Sequence, residues 1–319
     1  MHEFELIKKY FSKLSKNNKS SLNLNDDVFF DKKNQLIISV DTYNEGNHFL
    51  DFKEPALVIK KIIRSSISDL ICKGVHPKFY FMSGSGNKRS FSKTNLLKIS
   101  NSLKQEQKKY NISLCGGDTT FSNKLSFSIT SVGFSKKIIF RNNAKINDDI
   151  YITGNLGDSY IGLQVLKNKI KVKKNFYEYF INKYYQPDIQ IELSKKLLNF
   201  ANTSIDVSDG LIADLEKMIN TQYLSYELNL DKIPISKQLS SLIKTKKLIK
   251  SKLISNGDDY QVLFTASNDK SRIIDSTSKF LGTKITKIGK INSGIKKSYI
   301  IDHKGKQIEL KNKGYLHQF

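Results

Sequence analysis

Asp206 and Asp209 stand three residues apart in I-D-V-S-D-G-L (205–211), with Ser208 between them and Gly210 directly behind. Two carboxylates so placed offer hard oxygen ligands to a cation, and the serine hydroxyl offers a donor to a phosphate oxygen. Similar acidic turns recur along the chain: Asp26 and Asp27 in N-D-D-V, Asp41 in S-V-D-T, Asp69 in S-D-L, Asp118 in G-G-D-T, and Asp258 with Asp259 in N-G-D-D-Y. Singly, each reads as a turn or helix-cap residue, because Asp after Gly or Ser accepts nearby backbone N–H groups. Asp148 and Asp149 of N-D-D-I carry only that reading. Gathered together, the others require a counter-ion: two carboxylates about 4 Å apart repel by roughly 4 kcal/mol at an effective dielectric near 20. Mg²⁺ accepts one or two carboxylates and keeps its other positions for water and substrate phosphates, so the acids point to a socket for metal-bound polyphosphate.

Two glycine-bearing stretches compete for attention. S-G-S-G-N-K-R-S (83–90) lacks the spacing of a Walker phosphate loop and is expected to be a surface loop. T-G-N-L-G-D-S (153–159) places small residues where a strand gives way to a helix, a turn that either receives an anion or merely connects the two.

The elements that must position these residues follow from apolar periodicity. An amphipathic N-terminal helix is expected with Phe4, Ile7, Phe11 and Leu14 on one stripe. V-F-F and Q-L-I-I-S-V read as strands joined by the turn D-K-K-N. Pro55 opens a long helix through Ile59, Ile62, Ile63, Ile67 and Leu70, and Gly74 ends it. A strand near 79–82, a helix near 96–103 and strands near 112–115 and 125–133 complete a first unit. A loop near 142–148 feeds a second, with a strand ending at Thr153, a helix after Gly157, further helices to about Phe200, a strand leading to Asp206 and a helix after Gly210. Strands near 226–230, 260–264 and 285–291 follow. The expectation is α/β (α+β), in two domains, 1–143 and 144–319. It places Asp41 and Asp118 at the exit ends of strands, and Asp69 near a helix end whose dipole disfavours negative charge.

Composition bounds the partners. The net charge of +23 over 319 residues comes almost entirely from lysine, since Arg64, Arg89, Arg141 and Arg272 are the only arginines. Those lysines are scattered rather than gathered on a stripe with interleaved aromatics, which argues against a nucleic-acid partner. Cys72 and Cys115 are too few for a disulfide framework or a zinc site. No apolar run approaches the roughly 20 residues that cross a bilayer, and the N-terminus does not read as a signal peptide. A cytoplasmic protein with no membrane partner is expected.

The order of motifs resembles the thiamine-monophosphate kinase family. The segments are N-D-D-V, D-T-Y-N-E-G-N-H-F, I-S-D-L-I-C-K-G-V-H-P, C-G-G-D-T-T, F-R-N-N-A, D-D-I-Y-I-T-G-N-L-G-D-S, I-D-V-S-D-G-L, N-G-D-D-Y and K-G-Y-L-H, spanning essentially the whole chain. The resemblance implies the two-domain fold of the aminoimidazole ribonucleotide synthetase superfamily, dimerised through the N-terminal sheet. It also implies transfer of the γ-phosphoryl group of ATP to thiamine monophosphate, giving thiamine diphosphate. By position in the motifs it makes Asp27, Ser39, Val40 (main chain), Asp41, Asp69, Asp118, Asp206 and Asp209 ligands of several Mg²⁺ ions. Gly117, Asp118, Arg141 and Ser208 would meet ATP, while His48, Asp258 and Tyr315 would meet the thiamine substrate. Asp118, Arg141 and Asp209 are the candidate catalytic residues. Departures stand at Asn25, where the family has glycine, at Asp258, where it has glutamate, at Ile71 and Cys72, where it has alanines, and at Asp188 after Pro187. The rival readings are another ATP-dependent enzyme of the superfamily, such as aminoimidazole ribonucleotide synthetase, and a non-catalytic lysine-rich binding protein.

Overall fold

The computed structural model describes residues 3–295, 297–308 and 314–315. The N-terminal stretch is not the regular helix expected. One α turn, α1 (Glu3–Leu6), runs into a π segment (Ile7–Phe11) and a 3₁₀ turn (Ser12–Ser15), and Phe11 and Leu14 stay exposed. No residue of 7–15 is buried, so no packed face holds one helical period there. The Phe4 side chain lies outside the described residues.

β1 (Phe29–Asp31) and β2 (Leu36–Asn44) form the expected hairpin, its turn tightened by Asp31, which accepts the N–H groups of Lys33 and Asn34. α2 (Pro55–Cys72) follows, then β3 (Pro77–Gly86), α3 (Lys93–Tyr110), β4 (Ser113–Phe121) and β5 (Ser126–Phe134). The sheet order is β1-β2-β5-β3-β4, antiparallel except where β3 and β4 pair. Ser83–Gly86, expected in a surface loop, instead extends β3. Its glycines leave room for the Phe91 ring, which lies over Gly84 and Gly86. Asp41 and Asp118 likewise sit within β2 and β4 rather than at their ends: Asp41 is opposite Ile129 and Asp118 opposite Ser83. The change from apolar to polar residues there marks where the sheet stops facing the core, while backbone pairing continues.

After β6 (Asp149–Thr153) the chain runs through α4 (Asp158–Leu166), α5 (Lys174–Tyr185), α6 (Ile191–Leu197), β7 (Thr203–Asp206), α7 (Leu211–Met218) and β8 (Leu224–Asn229). Then come α8 (Lys237–Lys246), α9 (Lys250–Ile254), β9 (Val262–Ala266), α10 (Ser271–Leu281), β10 (Ile285–Ser293), β11 (Tyr299–Ile301) and β12 (Gln307–Ile308). These strands build a seven-stranded sheet in the order β12-β11-β8-β10-β6-β9-β7.

α2 joins the two halves. It packs on β2 and β5 on one side and on β7, β9, α5 and α6 on the other, so it is buried almost all round. Its apolar residues Val58, Ile59, Ile62, Ile63, Ile67 and Leu70 fill one half of its circumference, while buried Lys61, Arg64, Ser65 and Ser68 lie on the other. One apolar core runs through it, from Phe127 and Ile129 to Tyr184, Leu197 and Phe264. Its polar residues are therefore placed deliberately: Arg64 makes a forked, buried ion pair with Glu106 of α3, at 2.8 and 3.1 Å. Arg64→Ala strands the Glu106 carboxylate away from water and should cost about 3–5 kcal/mol in urea unfolding; a loss under 1 kcal/mol would contradict this.

Candidate active site

Three acids from separate elements meet at the C-terminal end of α2. Asp69 lies there, Asp41 faces it from β2, and Asp206 closes β7. Burial and mutual repulsion hold these acids up: Asp41 and Asp206 are raised to about 7, the first by burial, the second by burial and the nearby Asp214. Asp69 is raised well above the ordinary range by burial and then by Asp41 and Asp206. Among the described residues none of the three enters an ion pair.

These shifts have a defined sign. A carboxyl that titrates near 7 in the folded chain and near 3.8 in the unfolded one holds extra protons when folded between those values. Stability of the metal-free protein therefore falls as pH rises from about 4 to about 7 and stays low above that. Urea unfolding with a chelator present should show a lower midpoint at pH 8 than at pH 5.5, and a midpoint that rises instead would refute the clustering of these acids.

Around this trio other acids hold cations of the chain itself. Lys73, fully buried one residue beyond α2, reaches Asp26 at 2.7 Å and Asp27 at 2.8 Å. Arg141 donates from Nε to Asp27 at 3.0 Å, pairs with the same carboxylate through Nη2, and donates its backbone N–H to Asp26. Asp209 pairs with Lys217, which also meets Asp214 at 3.0 Å; Asp214 in turn accepts the N–H groups of Asp209 and Gly210 and fixes the entry into α7. Among the described residues, no group of three or more His, Cys, Asp or Glu side chains is arranged around a single metal position.

The motifs at 205–211 and 256–260 lie side by side. Asp258 N–H donates to Ser208 O and Tyr260 N–H to Val207 O, both at 2.8 Å. The approach is so close that a Cβ on Gly257 would sit 1.7 Å from Ser208 O, which only glycine avoids. Asp258 has φ +68°, and its carboxylate meets the buried Lys61 of α2 at 2.8 Å. Burial pulls the Lys61 ammonium down and Asp258 opposes that. The Tyr315 N–H bonds to Asp209 O, bringing Tyr315 to the same place. Beside Asp26, Arg141 and Lys217 opens a cavity of about 1160 Å³, walled by the N-terminal segment and by Asn25, Asn142 and Asn220. Asn25 and Asn220 exchange amide hydrogen bonds of 3.1 and 3.0 Å across that wall, which gives the non-glycine residue at 25 a structural task.

Asp27, Asp41, Asp69, Arg141, Asp206, Ser208, Asp209, Asp258 and Tyr315 are thus drawn into one region. Ser39 is buried on β2, its hydroxyl turned to the Ser66 carbonyl, while the Val40 side chain points to the exposed face. His48 stands further out, edge-on to Tyr43, its Nδ1 accepting the Asn44 N–H. Gly117 and Asp118 lie on the exposed edge strand β4, where Asp118 accepts the Thr119 N–H. Lys61, Lys73, Asp214 and Lys217 were not anticipated from sequence. A lysine among the small residues Ser65 and Ser68 on the polar half of a long, largely apolar helix was the available signal for Lys61, and an acid four residues after Gly210 for Asp214.

A family model described as AIR synthase related protein, N-terminal domain, matches residues 25–135. Thiamine-monophosphate kinase of Buchnera aphidicola subsp. Acyrthosiphon pisum (strain APS) is 37% identical over 99% of this chain and 98% of its own length. The Escherichia coli (strain K12) enzyme of the same name is 31% identical over the same shares. A solved structure described as AaThiL complexed with AMPPCP and TMP superposes with a TM-score of 0.85 at 26% identity, covering 99% of this chain and 97% of that one. Fold and site together define an AIR synthase-related α/β protein with an acid-lined site at the junction of two sheets. Within that class, the chain belongs to the thiamine-monophosphate kinase family.

Proposed function

We propose that the chain transfers the γ-phosphoryl group of ATP directly to the phosphate of thiamine monophosphate, yielding thiamine diphosphate. The observation that carries this reading is the convergence of Asp41, Asp69 and Asp206, none of them in an ion pair among the described residues, next to Asp26, which lines a large cavity with Arg141 and Lys217. A hard divalent ion suits that donor set, since it offsets the repulsion that raises these carboxyls. Asp41, Asp69 and Asp206 would hold Mg²⁺, with Ser39, the Val40 main chain, Asp118 and Asp209 as further candidate ligands. When bound, Mg²⁺ would neutralise charge on the phosphates of the two reactants.

The chain's own residues supply position and charge. Arg141, docked on Asp27 and lining the cavity, would meet a nucleotide phosphate there; Gly117, Asp118 and Ser208 are the other ATP contacts proposed. Asp258, held by Lys61, faces the thiamine substrate along with His48 and Tyr315. The acceptor phosphate is ionised at neutral pH, so its oxygen attacks without a general base and no phosphoenzyme is needed. Purified protein incubated with ATP, Mg²⁺ and thiamine monophosphate should form thiamine diphosphate, and its failure to do so would overturn the reading.

The division into 1–143 and 144–319 is supported by the order of strands, β1–β5 before it and β6–β12 after. Pairing of two copies through the first sheet is supported by its open side. Val40, Phe79, Phe81 and Phe134 are exposed there, a contiguous apolar patch of the kind that marks an interface. Sedimentation should return a homodimer, and Phe81→Asp should shift it to monomer; a wild-type monomer at micromolar concentration would refute the pairing. Use of ATP supports a cytoplasmic site, and no helix among the described residues is long and apolar enough to cross a membrane.

A further inference from the structure

The Asp26–Asp27 turn differs in kind from the Asp41, Asp69 and Asp206 group. Lys73 has three ammonium hydrogens and three acceptors: Asp26 Oδ1 at 2.7 Å, Asp27 Oδ2 at 2.8 Å and the Ser204 carbonyl at 3.1 Å. Its side chain is 0% exposed. Those acceptors come from the N-terminal loop and from β7, so the ammonium is enclosed by both halves of the chain. The carboxylates are filled in turn. Asp27 Oδ2 receives Lys73 and Arg141 Nε, Asp27 Oδ1 receives Arg141 Nη2, Asp26 Oδ1 receives Lys73 and the Asp27 N–H, and Asp26 Oδ2 receives the Arg141 N–H. Two negative and two positive side chains cancel. By contrast, the Asp209–Lys217 pair leaves the carboxylate 26% exposed.

We propose that Lys73 is a built-in cation that takes the place of one divalent ion at the Asp26–Asp27 turn, so that Asp27 ligates no metal in this chain. This rests on the reading of the site as one that binds divalent ions, and refines it. A divalent ion arriving at Asp27 would meet an ammonium and a guanidinium already docked on its oxygens, and the ammonium, fully enclosed, has no water to move into. The lysine gives the turn a charge that does not depend on metal concentration, leaving exchangeable ions to the other acids.

The test counts bound Mn²⁺ per chain by electron paramagnetic resonance, in the presence of the non-hydrolysable analogue AMPPCP. Lys73→Met frees the two carboxylates and is expected to bind one more ion than the wild type. An unchanged count in a folded Lys73→Met protein would overturn the inference while leaving the metal site itself standing. If neither protein binds Mn²⁺, the metal reading and the inference fall together. Should Lys73→Met not fold, Asp27→Asn decides: the wild-type count is expected to survive it, whereas Asp206→Asn should lower the count by one. A loss of one ion in Asp27→Asn would identify Asp27 as a ligand and overturn the proposal.

Discussion

Asp69→Asn is expected to lower turnover by about 10³-fold, the scale on which a preorganised electrostatic group acts at a transition state, while making the metal-free protein more stable. The two effects share a cause. Asp69 sits between Asp41 and Asp206, and its carboxyl is raised by burial and by both of them. In the absence of an ion, and at a pH above the raised titration of these carboxyls, the amide removes repulsion that the fold otherwise sustains, a gain of about 1 kcal/mol for partly screened charges. The amide keeps the size and one acceptor oxygen, so packing around the end of α2 is preserved. With an ion present, the same change removes a hard ligand. Mg²⁺ should therefore raise the thermal midpoint of the wild type more than that of the variant. Turnover kinetics and melting with and without Mg²⁺ check both halves; a variant that is slower and also less stable without metal would mean that Asp69 is a structural residue.

Much of this architecture was legible because the deciding signals are local. Pro55 and Gly74 bracket α2 at their expected ends, and the turn at Asp31 joins β1 to β2 as its composition requires. The acids were found because their motifs recur in order, even where the local reading went astray. Asp41 and Asp118 were expected at strand ends, since sequence shows where apolar residues stop but not where backbone pairing stops. S-G-S-G looked like a loop for a similar reason: its glycines answer to Phe91, a residue it touches only after folding.

The cations of the site were the least legible part. Lys61 and Lys73 are two among 53 lysines and arginines, most of which sit on solvated faces. Lys73, just before a glycine at a helix end, has the ordinary appearance of a lysine complementing the helix dipole. Only the meeting of the N-terminal loop with β7 makes it a buried ion, and that meeting is a long-range fact. The same holds for Asn25, whose partner Asn220 is far along the chain. Charge balance at such a site is a property of the folded arrangement, whereas the acids that demand it can be read one turn at a time.

Asp118→Asn is the sharpest separation of function from fold that this chain offers. Asp118 lies on an edge strand exposed along its whole length, in the row Thr42, Ser128, Ser83 and Asp118 that crosses the open side of the sheet. Its carboxylate accepts the Thr119 N–H, and asparagine accepts that bond equally. Within one chain the substitution should therefore change stability by no more than about 0.5 kcal/mol, as exposed replacements do, and sedimentation of the variant checks that pairing through this side is unchanged. Turnover is nonetheless expected to fall by about 10²-fold or more, the cost of losing one charged group that acts on the phosphates. Normal turnover in a folded Asp118→Asn protein would therefore remove it from the site, while Asp41, Asp69 and Asp206, whose repulsion is measured separately by the pH dependence of unfolding, would remain.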